Sequence, residues 1–456
     1  MDTIAAIATP AARSAVGIVR LSGPRSAEIL DALFVPQNGS RASAMPPRRM
    51  TYGMVRGAQG QTLDSALAVL FTEGASYTGE QSAELHCHGS PVVLGEVLRA
   101  AFAAGARQAA AGEFTQRAFL NGRLDLTQAE AVIDLIDAET AQAAKNAAAQ
   151  LGGALRRRVE AVYDTLLDVT SRFYAVVDYP DEDITDQTGD EHRAALSGAA
   201  DAVDALVSSF ARGRILKSGV KTAIIGAPNA GKSSLLNALV GFDRAIVTDV
   251  AGTTRDTVEE RAVIGGTLLR LVDTAGLREG GDAVERLGIE RSRAAAADAE
   301  MIFAVVDGSR PMHAEDEAAL ALARAAGKPW LLLLSKSDLG AADEPPALTD
   351  GAPHKTLCVS SVTLAGLDAL GAAVAELFPS GAPQGETLVT NERQADALRR
   401  ALEALRAAET ALSSGITPDA ALTEVERAQD ALGELTGRTA REDMVARIFE
   451  RFCVGK

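Results

Sequence analysis

The octet Gly226-Ala227-Pro228-Asn229-Ala230-Gly231-Lys232-Ser233 constrains this chain more than any other stretch. It follows the apolar run Ala223-Ile224-Ile225 and precedes Ser234-Leu235-Leu236-Asn237-Ala238-Leu239, which reads as a helix. Strand, glycine loop and helix in that order match G-x-x-x-x-G-K-S. The glycines let backbone N–H groups turn inward around phosphates, Lys232 reaches the β/γ oxygens, and the Ser233 hydroxyl ligates Mg²⁺. Residues 216–380 alternate further apolar runs (Leu268–Val272, Met301–Val306, Leu331–Leu334) with helical stretches, which predicts a parallel sheet wound with helices.

Three more motifs follow in order. Asp273-Thr274-Ala275-Gly276 ends the run Leu268–Val272; its carboxylate can hold Mg²⁺ through water, and the Gly276 N–H can meet the γ-phosphate. Ser335-Lys336-Ser337-Asp338 ends the next strand but one, and a carboxylate there accepts both N1–H and N2–H₂ of guanine. Ser360-Ser361-Val362 closes the base pocket from the other side. Together they predict a Ras-like P-loop GTPase domain. Leu277 stands where Ras-like enzymes place the glutamine that orients water. Among the acids nearby, Glu279, Asp282, Glu285 and Glu290, surface charge explains any single one more readily than catalysis. The Asn229 side chain could ligate a monovalent cation where an arginine finger would otherwise sit.

The chain has 456 residues, room for about three domains. Residues 1–117 mix β-rich runs (Val16–Leu21, Ala66–Phe71) with turns and one helix near 92–104, an α+β pattern. Residues 118–215 are helical: Leu155, Val159, Val162, Leu166, Val169 and Phe173 form one apolar stripe that needs a partner helix. Past the hinge Pro379–Pro383, helical periodicity resumes through Leu398, Leu402, Leu405 and Leu412, then Leu422, Val425, Leu432 and Leu435. The two helical blocks, 118–215 and 381–456, are therefore expected to pack together around an inserted α/β domain, 216–380. With 45 basic against 61 acidic residues the net charge is −16, which excludes nucleic-acid binding driven by a broad basic surface. Three separated cysteines, Cys87, Cys358 and Cys453, allow no disulfide framework and point to a reducing compartment, the cytoplasm. No stretch approaches the ~18 consecutive apolar residues of a membrane helix.

Motifs outside the GTPase region are specific. Asp2-Thr3-Ile4-Ala5, Gly17–Gly23, Tyr77-Thr78-Gly79-Glu80, Gly112–Asn121, Leu124–Ala131 and the ending Ile448–Lys456, taken with the GTPase motifs, resemble the MnmE (TrmE) family of tRNA uridine-modifying GTPases nearly end to end. The resemblance implies a K⁺-activated GTPase with Asn229, Thr248, Val250 and Thr253 on K⁺, and Ser233 and Thr254 on Mg²⁺. Glu285 becomes the acid that orients water. GTP contacts would come from Asn229, Ala230, Gly231, Lys232, Ser233 and Ser234; from Thr248, Asp249, Val250, Ala251, Gly252, Thr253 and Thr254; and from the three downstream motifs. It further implies an N-terminal folate-binding and dimerisation domain using Arg20, Glu84, Arg123 and Lys456 on 5-formyl- or 5,10-methylene-tetrahydrofolate. The implied assembly is a homodimer that works with the FAD-dependent MnmG, in a heterotetramer, on the C5 of the wobble uridine of certain tRNAs. The product would carry an aminomethyl or carboxymethylaminomethyl group. A ribosome-assembly GTPase acting only as a switch is the rival; a basic C-terminal RNA-binding module would favour it, and none is seen.

Two departures stand out. Ser335 replaces the usual Asn of the guanine motif, so contacts to the base edge and phosphate loop are expected to shorten or vanish, costing about 1 kcal/mol. Arg123 replaces the frequent Lys, keeping charge but not geometry. His86-Cys87-His88 puts two imidazoles on one strand face without a third ligand in reach. Cys453 reads equally as a neighbour of the folate site or a small buried hydrophobe.

Overall fold

Period-two alternation builds the N-terminal sheet. Along β2 (Ser14–Ser22) Val19 and Leu21 are fully buried on one face, while Ile18 and Arg20 point to the other. The computed structural model describes residues 2–178, 189–242, 259–273, 292–340, 351–379, 387–414, 418–439, 442–450 and 452–455. By its contacts the chain divides into two compact units, one of residues 1–133, 150–197 and 403–456, the other of 134–149 and 198–402.

In the first unit β1 (Ile4–Ile7), β2, β3 (Phe34–Pro36), β4 (Thr51–Arg56), β5 (Thr62–Phe71), β6 (Ser82–Gly89) and β7 (Arg107–Gln108) lie in the order β3-β4-β5-β6-β2-β1-β7. All neighbours are antiparallel except β1 and β7. Helices α1 (Ser26–Leu33) and α2 (Pro91–Ala103) bury Ile29, Leu30, Leu33, Leu94 and Val97 against one face. On the other face Ile4 and Ala6 meet Phe114 of α3 (Glu113–Leu120).

The stripe on helix Ala154–Asp178 finds its partner far along the chain. Leu155, Val159, Val162, Leu166 and Val169 are buried, Phe173's side chain lies outside the description, and helix Pro418–Thr436 packs alongside with Val425, Leu432 and Leu435 buried. Arg438, just beyond it, stacks 4.7 Å from the Tyr163 ring. Sequence after the α/β region thus returns to pack on sequence before it.

The second unit holds β8 (Val220–Gly226), β9 (Glu259–Ile264), β10 (Thr267–Asp273), β11 (Met301–Asp307), β12 (Trp330–Ser335) and β13 (Lys355–Cys358) in the order β13-β12-β11-β8-β10-β9. Both faces are covered: Phe303, Val305 and Leu333 lie in one apolar cluster, Ile302, Ala304 and Leu332 in the other. The expected parallel sheet needs one correction. β9 joins β10 antiparallel through Gly265-Gly266, both at positive φ (59° and 78°), a two-residue hairpin turn open to glycine. The glycine pair was the available signal for this strand.

Among the described residues, Glu191–Ser218 is one helical stretch long and apolar enough by composition to cross a membrane. Its Leu196, Ala199, Val203 and Leu206 are packed inside protein.

Candidate functional site

The phosphate loop leaves β8 at Gly226, where a Cβ would sit 2.3 Å from the Val305 carbonyl of β11. Only glycine permits that approach. Asn229 adopts φ 61°, a left-handed conformation that asparagine tolerates, and helix Lys232–Phe242 starts two residues past Ala230. Lys232 Nζ donates to the carbonyls of Gly226 (2.9 Å) and Ala227 (2.8 Å), which places its charge at the mouth of the loop. Ser233 is the second residue of that helix, where its hydroxyl offers the hard oxygen that Mg²⁺ requires. Ser234 follows it. Asp273 ends β10 in register with Ile224, so the end of β10 lies beside the strand that feeds the loop. The Asp273 side chain and Thr248, Asp249, Val250, Ala251, Gly252, Thr253, Thr254, Thr274, Ala275, Gly276 and Glu285 lie outside the described residues.

The base motifs converge. Ser360, fully buried, donates from Oγ to Asp338 Oδ1 (2.6 Å) and accepts from the N–H groups of Val362 (3.2 Å) and Thr363 (3.1 Å). Ser337 N–H donates to the Val359 carbonyl (3.2 Å), tying the two loops together. Ser361 and exposed Val362 continue the second loop. Ser335 corrects one half of its expectation: its Oγ donates to the Ala230 carbonyl at 2.6 Å, so the link from guanine motif to phosphate loop is kept. The end of β12 and the loop lie close enough for a hydroxyl to span them, as the 3.4 Å between Ser335 Oγ and the Cβ position of Gly231 also shows. Lys336 sits at φ 58° and ψ 34°, its ammonium 2.6 Å from Asp307 Oδ2. Burial works against the Asp307 charge, but Lys336 and Ser309 outweigh it and hold the carboxyl down at about 2.

In the first unit Arg20 and Glu84 are cross-strand partners on the face away from α1 and α2, with Arg20 Nε donating to Glu84 Oε1 at 2.8 Å. The guanidinium lies 5.9 Å from the Tyr77 ring and 5.7 Å from Phe114. His86 Nε2 is 3.1 Å from Glu84 Oε2, so both carboxylate oxygens are engaged and each retains acceptor capacity. Arg123 packs beside the same turn: its Cγ is 3.2 Å from the Cβ position of Gly79, two residues from Tyr77. Lys456 lies outside the description, but the tail before it arrives here, with Val454 bridging Ala111 and Gly455 against the Ile7 carbonyl. Cys453 is exposed, which settles its burial against the small-hydrophobe reading.

Tyr77, Phe114 and His86 stand in the sequence only as parts of motifs, and their place beside Arg20 and Glu84 is what the structure adds. Alternation along β6 was the signal for His86, which shares the face of Glu84. The two imidazoles serve different carboxylates, since His88 Nδ1 lies 2.7 Å from Asp64 Oδ1. Several motif residues are structural. Arg117 donates to Asp2 Oδ1 (2.7 Å), Glu113 Oε1 (2.9 Å) and Glu80 Oε2 (3.1 Å), Arg107 joins Asp2 to Glu113, and Ser22 donates to Glu80 (2.7 Å). Arg107 and Arg117 draw the Asp2 carboxyl down to about 2.

Residues 3–123 match a family model described as the GTP-binding protein TrmE N-terminus, and residues 126–453 match one described as the MnmE helical domain, which brackets the six-stranded sheet. Proteins called tRNA modification GTPase MnmE are similar over the whole length. That of Roseiflexus sp. strain RS-1 is 46% identical, covering 100% of this chain and 99% of its own. Those of Chloroflexus aurantiacus and Symbiobacterium thermophilum are each 42% identical, covering 100% of this chain and 100% and 99% of theirs.

Proposed function

Since the chain belongs to the MnmE family of tRNA modification GTPases, we propose that its GTPase is activated by K⁺ and drives a folate-dependent change at C5 of the wobble uridine (position 34). The observation that carries the GTP half is the base site: Asp338 held by Ser360 on one loop and Ser335 bonded to the phosphate loop, all at one end of a single sheet. The proposed GTP contacts are those of the four motifs and of residues 248–254. Mg²⁺ would be held by Ser233 and Thr254, and supplies charge to the phosphate oxygens. K⁺ would be held by Asn229, Thr248, Val250 and Thr253, beside the charge that develops between the phosphates. Asn229 suits this role because its left-handed backbone lies inside the loop, and its amide oxygen is the hard donor that an alkali cation takes. Glu285 orients the attacking water, a task Leu277 cannot perform.

Folate would bind on the outer sheet face. Arg20, Arg123 and Lys456 offer charge to its carboxylates or one-carbon oxygen, and Glu84 accepts from the pterin N–H groups. What supports this is a guanidinium held between two rings next to a carboxylate with acceptor capacity left. The protein acts as a cytoplasmic homodimer joined through its N-terminal domains, with an MnmG-type FAD protein as partner and tRNA as substrate. We place the domains at 1–117, 118–215 with 381–456, and 216–380.

Nucleoside mass spectrometry of tRNA from a deletion strain tests the whole reading. Loss of the modified wobble uridine is the expected result, and unchanged wobble uridines refute it. Turnover in matched KCl and NaCl tests the ion, with Asn229→Ala expected to erase the difference. Glu285→Ala should lower kcat by roughly 10²-fold with little change in GTP affinity.

A further inference from the structure

Asp307 ends β11 and belongs to none of the nucleotide motifs, yet it is one of the most thoroughly tied side chains of the second unit. It is 5% exposed. Its Oδ1 accepts from both the N–H (3.0 Å) and the hydroxyl (2.6 Å) of Ser309, and its Oδ2 receives the Lys336 ammonium (2.6 Å), with Arg310 Nε at 3.8 Å. Gly308 N–H donates to the Ser335 carbonyl (3.0 Å), so the turn carrying Asp307 is fastened to the guanine motif by backbone as well. The carboxylate stays ionised despite its burial, because Lys336 and Ser309 together outweigh the desolvation.

The other end of the ion pair is equally constrained. Lys336 stands in a left-handed backbone conformation that a lysine adopts only when its surroundings impose it. Its side chain therefore leaves the loop in one direction and is pinned at its far end, so the four methylenes form a fixed rod two residues from Asp338. A guanine whose edge met Asp338 would have that stem within reach of one face, and flat apolar contact of this kind slows departure.

We propose that Asp307 is a positioning residue of the guanine site: without touching nucleotide, it holds the Lys336 stem as a shelf for the base and thereby sets how long nucleotide stays bound. The inference rests on the GTP reading above.

Asp307→Asn is the informative change. Ser309 presents two donors to Oδ1, so the amide must turn its oxygen there and its NH₂ toward Lys336, donor against donor. The shelf is then pushed away while the Ser309 bonds survive. In full-length protein, stopped-flow release of mant-GDP should accelerate about tenfold, with kcat at saturating GTP within about twofold of wild type. Adding Lys336→Met removes the ammonium but keeps an unbranched stem, and should restore slow release. A general weakening of the fold would not be reversed by that second change. Lys336→Ala, at a side chain 36% exposed, removes the shelf outright and should speed release at least as much. Unchanged release in Asp307→Asn or Lys336→Ala, or equal acceleration in Asp307→Asn with and without Lys336→Met, overturns the proposal. Wild-type protein that binds no mant-GDP would instead overturn the GTP reading beneath it.

Discussion

Replacing Asp338 with asparagine tests the base site through a single hydroxyl. Ser360 Oγ accepts two backbone N–H groups and gives its only proton to Asp338 Oδ1. Both of its lone pairs and its proton are committed. An asparagine at 338 consequently has one satisfactory orientation: carbonyl oxygen toward Ser360, NH₂ in the place of the oxygen left for a base. Guanine then meets donors where it had an acceptor. It forfeits the charge-assisted hydrogen bond at that oxygen, about 1.5–3 kcal/mol, or roughly 10- to 10²-fold in affinity before the donor–donor clash is added. Xanthine presents a C2 carbonyl at that place and accepts the new donor. Competition binding with GTP and XTP should show the preference reversed in Asp338→Asn. Adding Ser360→Ala releases the amide to flip and should bring the two nucleotides within about tenfold of each other. A variant that still prefers GTP refutes the assignment of Asp338, and an undiminished XTP preference in the double variant refutes the orienting role of Ser360.

Gly226→Ala forces a Cβ to 2.3 Å from the Val305 carbonyl, a backbone atom inside the sheet that cannot swing aside. Thermal melting without nucleotide should register a loss of about 2 kcal/mol or more, and an unshifted melt would contradict the close approach. Asp2 lies at about 2 in the folded chain against an ordinary 3.8, so its contribution to stability is present above pH 4 and is lost as pH falls toward 2. Asp2→Asn should flatten the pH dependence of unfolding in that window; being half exposed, the group will move it modestly, and identical acid profiles would dismiss the network as stabilising. Cys87 is buried and its thiol is pushed up to about 12, whereas Cys358 and Cys453 are exposed. Iodoacetamide at pH 8 should label the latter two and spare Cys87 until the protein unfolds, as peptide mass spectrometry would show.

What could be read beforehand followed from how local the physics is. The phosphate loop is eight consecutive residues whose types dictate their own geometry, so its strand, turn and helix are legible without any neighbour. The stripe from Leu155 to Val169 announced a buried face, because helical period is a property of one segment. By contrast, Arg117 and Asp2 lie 115 residues apart, and no pattern in either neighbourhood says that they pair. Ser335 shows a subtler failure. That a hydroxyl replaces an amide is plain from the sequence, but whether it reaches Ala230 depends on how near β12 comes to the loop, a distance set by the packing of the sheet. Asp307 went unnoticed for the same reason: its partner stands on the neighbouring strand's end.

The seating of the tail beside Ala111 and Ile7 bears on the order in which the molecule is made. Leu126 and Ala129 share a cluster with Val445, Phe449 and Phe452, so roughly 300 residues must leave the ribosome between the first members of that cluster and the last. At about 5–20 residues per second this is a wait of roughly 15–60 s, during which the early segment exposes apolar surface with nothing to cover it. The inserted sheet, whose strands all lie between Val220 and Cys358, can close within that interval. The N-terminal sheet, all of whose strands lie between Ile4 and Gln108, can close earlier still, so a ribosome stalled near the end of the message would release a chain with two finished sheets and one uncovered helical seam.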